Sequence, residues 1–240
     1  MNSVMPKYKR ILLKLSGEAL NGKTTDPIDS TALQQIAEDI VAASHLGIQI
    51  GIVIGGGNLF RGRSLAEVGL DRITGDQIGM LATVINALIL RDALEKRGKI
   101  VRIMSALSIG KWVSEFDRYK AIRQLNKGYI VIFAGGTGNP LVSTDAAASL
   151  RGIEIGAEVL LKATQVDGVY SADPKKDKDA ILYTHLTYKE VIEKELGVMD
   201  IAAFVQCRDQ NLPIHVFNLQ TPHALRTILQ GGQVGTVVTN

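Results

Sequence analysis

Short runs of aliphatic residues, each ended by glycine or a polar turn, recur along this chain, and stretches with helical spacing separate them. Lys9–Leu15, Ile48–Ile54, Lys99–Met104, Tyr129–Ala134, Glu158–Thr164, Ile214–Phe217 and Gly235–Val238 read as strands. Between them, Thr31–His45 carries Leu33, Ile36, Ile40 and Val41 on one face behind an Asp29-Ser30 cap, and Gly47 ends it. Asp117–Gln124 reads as a helix, as does the Ala-rich stretch opened by Ser143-Thr144-Asp145 and reaching Gly156. Further helices are expected from Thr187 to Leu196-Gly197, from Met199 behind an Asp200 cap, and from Pro222 to Leu229 with proline at the start. A long helix is predicted from Asp76 to Arg97, apolar over most of its circumference, as in a helix central to a core or shared with a second subunit. The alternation predicts a parallel-sheet α/β protein, in one domain or two small ones.

Two of the buried strands run into bare glycine loops. Ile50–Ile54, four of its five residues β-branched, leads into Gly55-Gly56-Gly57-Asn58-Leu59-Phe60-Arg61. Glycines allow backbone angles closed to other residues and leave the peptide N–H groups uncovered, so such a loop can nest an anion. Arg61 adds a planar cationic fork suited to phosphate oxygens. The second strand runs into Gly135-Gly136-Thr137-Gly138-Asn139-Pro140, followed by a helix N-terminus that can face an anion. One such loop reads equally well as a tight turn. Two favour a shared phosphate cleft.

Lys14 and Lys162 each interrupt an apolar strand near its carboxyl end, the end that faces ligand in open α/β sheets. Beside two bare loops, the pair suits neutralisation of a transferring phosphoryl group; the other reading of Lys14 is a guard on an edge strand. Asp76 either stabilises a helix N-terminus or accepts a ligand hydroxyl. Asp145 is a first-turn capping residue or a carboxylate that orients lysines or a metal. Tyr170 offers a flat face to a nucleobase and Asp173 a polar handle, although Asp173-Pro174 is also an ordinary turn. Gly17–Thr24 matches the P-loop pattern, but Asp26, Pro27 and Asp29 follow where a helix must begin, and the match is read as accidental.

Composition narrows the partners. Of the 240 residues 46% are hydrophobic and 5% aromatic, and the net charge is +3, with no basic block or interleaved aromatics, so no nucleic-acid surface is expected. The single Cys207 cannot form an internal disulfide, and the histidines 45, 185, 215 and 223 are scattered, which supports neither a metal cluster nor a histidine triad. No apolar run of membrane-spanning length and no leader-like start is read, so no membrane partner is expected and the protein is taken as cytoplasmic.

The segments Lys14–Glu18, Gly55–Gly62, Gly75-Asp76, Gly136–Pro140, Thr144-Asp145, Lys162–Thr164 and Asp173-Pro174 closely resemble, in order, the motifs of the bacterial uridylate kinases of the amino-acid kinase superfamily. The resemblance spans nearly the whole chain. It implies a three-layer αβα sandwich with a mostly parallel central sheet, in a single domain over residues 1–240, assembled as a homohexamer built from dimers. It implies transfer of the ATP γ-phosphate to UMP in pyrimidine nucleotide synthesis, with Mg2+ arriving with ATP. It also implies that Lys14, Leu15, Ser16, Gly17, Gly57, Arg61, Thr164, Tyr170 and Asp173 hold ATP. Gly56, Asp76, Thr137, Gly138, Asn139, Pro140, Leu141, Val142, Ser143 and Thr144 would hold UMP, with Asp76 on the ribose. Lys14, Lys162 and Arg61 would neutralise the moving phosphoryl group while Asp145 keeps the lysines oriented. GTP and UTP are the effectors the resemblance implies. Thr25-Asp26-Pro27 stands where many members carry Gly-Phe-Gly, a departure that bears on activation by GTP.

Overall fold

The computed structural model describes residues 5–22, 26–60, 69–174 and 176–240. Arg61, the Lys23-Thr24 pair of the P-loop-like stretch and Thr25 lie outside the described residues. The strands are β1 (Arg10–Leu15), β2 (Gln49–Ile54), β3 (Val101–Ser105), β4 (Ser114–Glu115), β5 (Ile130–Ala134), β6 (Val159–Thr164), β7 (Val169–Tyr170), β8 (Leu182–Tyr183), β9 (His185–Thr187), β10 (Ile214–Asn218) and β11 (Thr236–Thr239). The helices are α1 (Ser30–Ser44), α2 (Arg72–Glu95), α3 (Arg118–Asn126), α4 (Thr144–Ile155), α5 (Tyr188–Glu193), α6 (Ile201–Asp209) and α7 (Ala224–Leu229).

Among the described residues, nine strands form one sheet in the order β4-β3-β5-β2-β1-β6-β10-β11-β9, parallel throughout except between β10 and β11. A separate β7–β8 ribbon carries Tyr170. Alternation within β1 separates two cores. Ile11, Leu13 and Leu15 pack with Ile36 and Ile40 of α1, Leu90 of α2 and Leu225 of α7. Leu12 packs on the other face with Leu125 of α3, Ala148 of α4 and Phe204 of α6. Helices therefore cover both faces, giving the expected three layers.

Caps account for several helix starts. Asp29 accepts from the backbone of Thr31 and Ala32, Ser143 from Ala146, and Asp200 from Ala202. α2 begins a full turn before the expected Asp76, because Asp71 caps it through Ile73 and Thr74 and buried Gly75 continues the helix instead of preceding it. α2 is also long and apolar enough to cross a membrane by length and composition, contrary to the reading that no such run exists. Its buried residues, among them Ala87, Leu90 and Leu94, join the sheet core, as in a core helix of a water-exposed fold. α7 starts at Ala224 instead of Pro222, since His223 takes a left-handed conformation (φ 60°). Residues 26–29, the first described ones beyond the P-loop-like stretch, are not helical, and α1 begins at Ser30.

Candidate functional site

The parallel register sets Lys14 of β1 directly beside Lys162 of β6. Both lie on the same face as Leu12 and Leu160, beneath α4. Neighbouring strands are about 4.8 Å apart, so two like charges placed this way repel unless something lies between them. Asp145, in the first turn of α4, fills that role. One carboxylate oxygen is 2.8 Å from Lys14 Nζ and the other 2.7 Å from Lys162 Nζ. All three side chains are almost fully buried, with exposures of 9, 9 and 14%. Burial raises the affinity of Asp145 for a proton, but the two ammonium groups outweigh it and hold the carboxyl below its usual range. Burial pulls Lys162 down to about 8; Asp145 opposes that shift and Lys14 adds to it. Two lysines and one carboxylate leave the cluster with a net charge of +1, which is free to act on a bound anion.

The two glycine loops stand side by side, since β2 and β5 are neighbours in the sheet. Thr83 of α2 touches both: its hydroxyl accepts from Gly135 N at 2.7 Å, and its own N lies 3.2 Å from where a Cβ on Gly56 would sit. The glycines serve different needs. Gly135, Gly136 and Gly138 have positive φ, whereas no such angle occurs at Gly55, Gly56 or Gly57. In the first loop close packing is the reason at Gly55 and Gly56, whereas a Cβ on Gly57 would meet nothing nearer than 3.9 Å. A Cβ on Gly56 would meet Gly79 O at 2.6 Å, and one on Gly17 would meet Gly57 N at 2.6 Å. Conformational freedom explains the second loop alone.

A cavity of about 280 Å³ opens between the loops and α2, bordered by Gly56, Gly57, Asp76, Asn139, Val142, Ser143 and Thr144. Gly57, placed with ATP by the resemblance, thus borders the same cavity as Gly56 and Asp76. Asp76 accepts from Leu141 N at 2.8 Å and from Arg72 Nε at 3.0 Å, which ties the second loop to α2. Leu141 is held at φ 66° and is largely exposed. Thr137 opens instead onto an adjoining hollow with Ser105, Glu115 and Arg151. The side chain of Leu15 is fully buried in the core, and its carbonyl accepts from Gly55 N, so it presents no side chain to either cavity.

A second cavity, about 490 Å³, lies beyond the end of β6. Thr164, Tyr170 and Asp173 border it, as the sequence reading grouped them. Its opposite wall, Lys194 to Val198, was not anticipated, because a helix-ending turn carries no signal of its own. A buried Asn86 also went unread within the apolar α2. It donates to Gly55 O at 2.7 Å and exchanges amide hydrogen bonds with Asn58, fixing the first loop. A lone amide at a core position was the available signal. The chain joins the lysine–aspartate cluster to both cavities: Thr144 of the first precedes Asp145, and Thr164 of the second closes the strand that carries Lys162. Such an arrangement can hold two anions and neutralise charge where they meet. Cys207 takes no part: it is buried in the core and its thiol is pushed up to about 12.

Comparisons with known proteins agree with this geometry. The profile described as "Amino acid kinase family" matches residues 9–218. A uridylate kinase from Coxiella burnetii is 56% identical over 237 residues, covering 99% of this chain and 98% of that protein. The crystal structure of a UMP kinase from Bacillus anthracis superposes with a TM-score of 0.94 at 44% identity, covering 97% of this chain and 96% of the other. A UMP kinase from Ureaplasma parvum gives 0.91 at 33% identity, with 98 and 100% covered.

Proposed function

This chain belongs to the amino acid kinase family, and from that premise we propose that it transfers the γ-phosphoryl group of ATP to UMP, giving ADP and UDP. It is a nucleoside monophosphate kinase. The single observation that carries the site assignment is the in-register Lys14–Lys162 pair bridged by Asp145. A phosphate oxygen of UMP attacks the γ-phosphorus, and the bond to the β–γ bridging oxygen breaks, leaving that oxygen on ADP. The attacking oxygen is already ionised near neutrality, since the second pKa of a phosphomonoester is about 6. No general base is required. The work falls to alignment by the two loops and charge neutralisation by Lys14, Lys162 and Arg61.

In this reading the cavity beside Asp76 takes UMP, with the carboxylate on the ribose, and the cavity beside Tyr170 takes the ATP base. Both oxygens of Asp145 are engaged by lysines, and no group of three potential protein ligands occurs among the described residues. Mg2+ arriving with ATP would be held chiefly by phosphate oxygens and water, and would supply further charge neutralisation. Exposed Leu81 and Ile85, one turn apart on α2, support a subunit contact, and a homohexamer built from dimers follows from the family resemblance. The whole chain acts as one catalytic domain, in the cytoplasm, where both nucleotides are found. GTP and UTP are its proposed effectors.

An ADP-release assay across UMP, CMP, dTMP and AMP tests the reaction; equal turnover with CMP would overturn the acceptor assignment. Asp76→Asn is expected to raise KM for UMP about tenfold or more, the worth of a charge-assisted hydrogen bond, and to leave KM for ATP nearly unchanged. A selective loss of ATP affinity would reverse the division of the cleft. A pH signature follows from Lys162, whose positive charge is lost in the free enzyme as pH rises through about 8. The value of kcat/KM should therefore fall above that pH, while kcat, reporting the nucleotide-bound form, holds to higher pH because phosphate stabilises the ammonium. Coincident alkaline limbs for the two parameters would contradict the placement of Lys162 beside phosphate.

A further inference from the structure

A third cavity, about 360 Å³, lies at the reverse edge of the sheet. Lys7 precedes β1 and Pro213 precedes β10, so this cavity sits by the amino end of β1, whose carboxyl end carries Lys14. Its border includes Lys7, His185, His215, Gln233 and Val234, and no carboxylate. His215 is the informative residue. It is 4% exposed, and its Nε2 lies 2.5 Å from the carbonyl of Val234. A carbonyl only accepts, so in the neutral ring Nε2 carries the hydrogen and Nδ1 is a bare acceptor. That Nδ1 is buried and has no hydrogen-bond partner.

The surrounding backbone enforces this arrangement. Gly235 has φ 77° and lies so close to β10 that a Cβ there would meet Val216 O at 2.1 Å. The approach places the Val234 carbonyl on the histidine ring. Burial, followed by the nearby Lys7 and His185, makes His215 less basic than an ordinary histidine, although the Val234 contact opposes this. The ring is thus neutral at pH 7, and its unpaired acceptor carries a desolvation cost that an apolar residue would avoid. Lys7 has no ion-pair partner among the described residues; its ammonium rests 5.2 Å from the ring centre of Tyr8.

We propose that this cavity is a second ligand site, taking the phosphate head of a small phosphomonoester, with Lys7 and His185 on its anionic oxygens and one proton shared between His215 Nδ1 and a ligand oxygen. Three features select that chemistry. A rim that carries Lys7 and no acid selects an anion. The bare Nδ1 selects an anion able to hold a proton near neutrality, which a phosphomonoester does with a second pKa of about 6 and a sulfate does not. The volume leaves room for an organic group besides the phosphate. Because the complex holds one proton more than the free protein and the dianion, binding weakens as pH rises from 6 to 8. Lys7 and His185 are the titratable groups that act on His215, and neither is a carboxylate.

The test uses the full chain with its catalytic cleft filled by UMP and ADP, titrated with glycerol 3-phosphate, inorganic phosphate or sulfate. Ring signals of the histidines and calorimetry provide the readout. The expected result is a saturable shift of His215 with glycerol 3-phosphate at pH 6.5. Binding should weaken about tenfold in Lys7→Ala, as for loss of a charge-assisted hydrogen bond, and disappear in His215→Phe. Both variants should keep kcat and KM, since the site lies away from the catalytic cleft. If His215→Phe fails to fold, the exposed Lys7→Ala and His185→Ala carry the test. No saturation, meaning a water-filled crevice only, would overturn the proposal. So would equal binding of sulfate, or binding unaffected in both exposed-residue variants. Inorganic phosphate binding as tightly as the ester would overturn the assignment to an ester.

Discussion

Lys14→Ala is expected to lower kcat by about a hundredfold or more while changing KM for either nucleotide only a few-fold, because it removes charge stabilisation that grows in the transition state. The structure locates the loss. With Lys14 present, two ammonium groups share one carboxylate and the cluster keeps a net charge of +1; with alanine, Lys162 and Asp145 cancel each other. The phosphoryl group in flight then meets a neutral surface in a buried, weakly screened place, where a missing charge matters more than in water. Lys14→Arg should recover part of the rate, since it restores the charge with a different donor geometry. Steady-state kinetics with both substrates varied decide the matter. A near-normal kcat with only a raised KM would mean that Lys14 binds substrate and does not act on the transition state.

Asp145→Ala should be worse for the fold as well as for the rate. It leaves Lys14 and Lys162 buried, adjacent in register and without a counter-charge. Breaking a buried ion pair by removing one partner costs about 3–5 kcal/mol. For a chain of this length that corresponds to a fall in Tm of about ten degrees or more. The sign of the pH dependence follows from the lysine. In the wild type Lys162 is already depressed to about 8, and losing Asp145, which opposes that depression, lowers it further. The unfolded chain then binds more protons than the folded one up to the ordinary lysine range, so the variant regains stability as pH rises from 7 towards 9. In the wild type the Asp145 carboxyl is itself depressed, and its stabilisation is lost only as pH falls through the acid range below about 4. Thermal melts of both proteins at pH 7 and 9 check this. A deficit that does not shrink with pH would show that the lysines are not the source of the instability.

Both variants act on a contact that links three distant parts of the chain, and its parts differed in how legible they were. Lys14 and Lys162 stood out because a lysine inside an aliphatic strand breaks a local pattern. Asp145 was ambiguous, since a first-turn aspartate satisfies a helix without any partner elsewhere. The wall from Lys194 to Val198 gave no sign in the sequence, because its relevance depends wholly on facing Tyr170 across space. The helix at Asp76 was misplaced by one turn because Gly75 reads as a breaker, while Asp71 is the cap that begins the helix. Strands of two or three residues, such as β4, β8 and β9, were missed for a related reason: they are too short to show a period and exist because a neighbouring edge offers hydrogen bonds.

Local order in the sequence determined the parallel α/β class, most helix caps, the two bare loops and the identity of the charged residues that serve them. These depend on spacing along the chain and on which backbone angles each residue tolerates. The tertiary structure decided which lysine stands beside which, that Asp145 bridges them, that the first loop needs glycine for closeness instead of angle, and that His215 hides an unpaired nitrogen. Each of these depends on distances between segments far apart in sequence, and register and packing set such distances only once the sheet has closed.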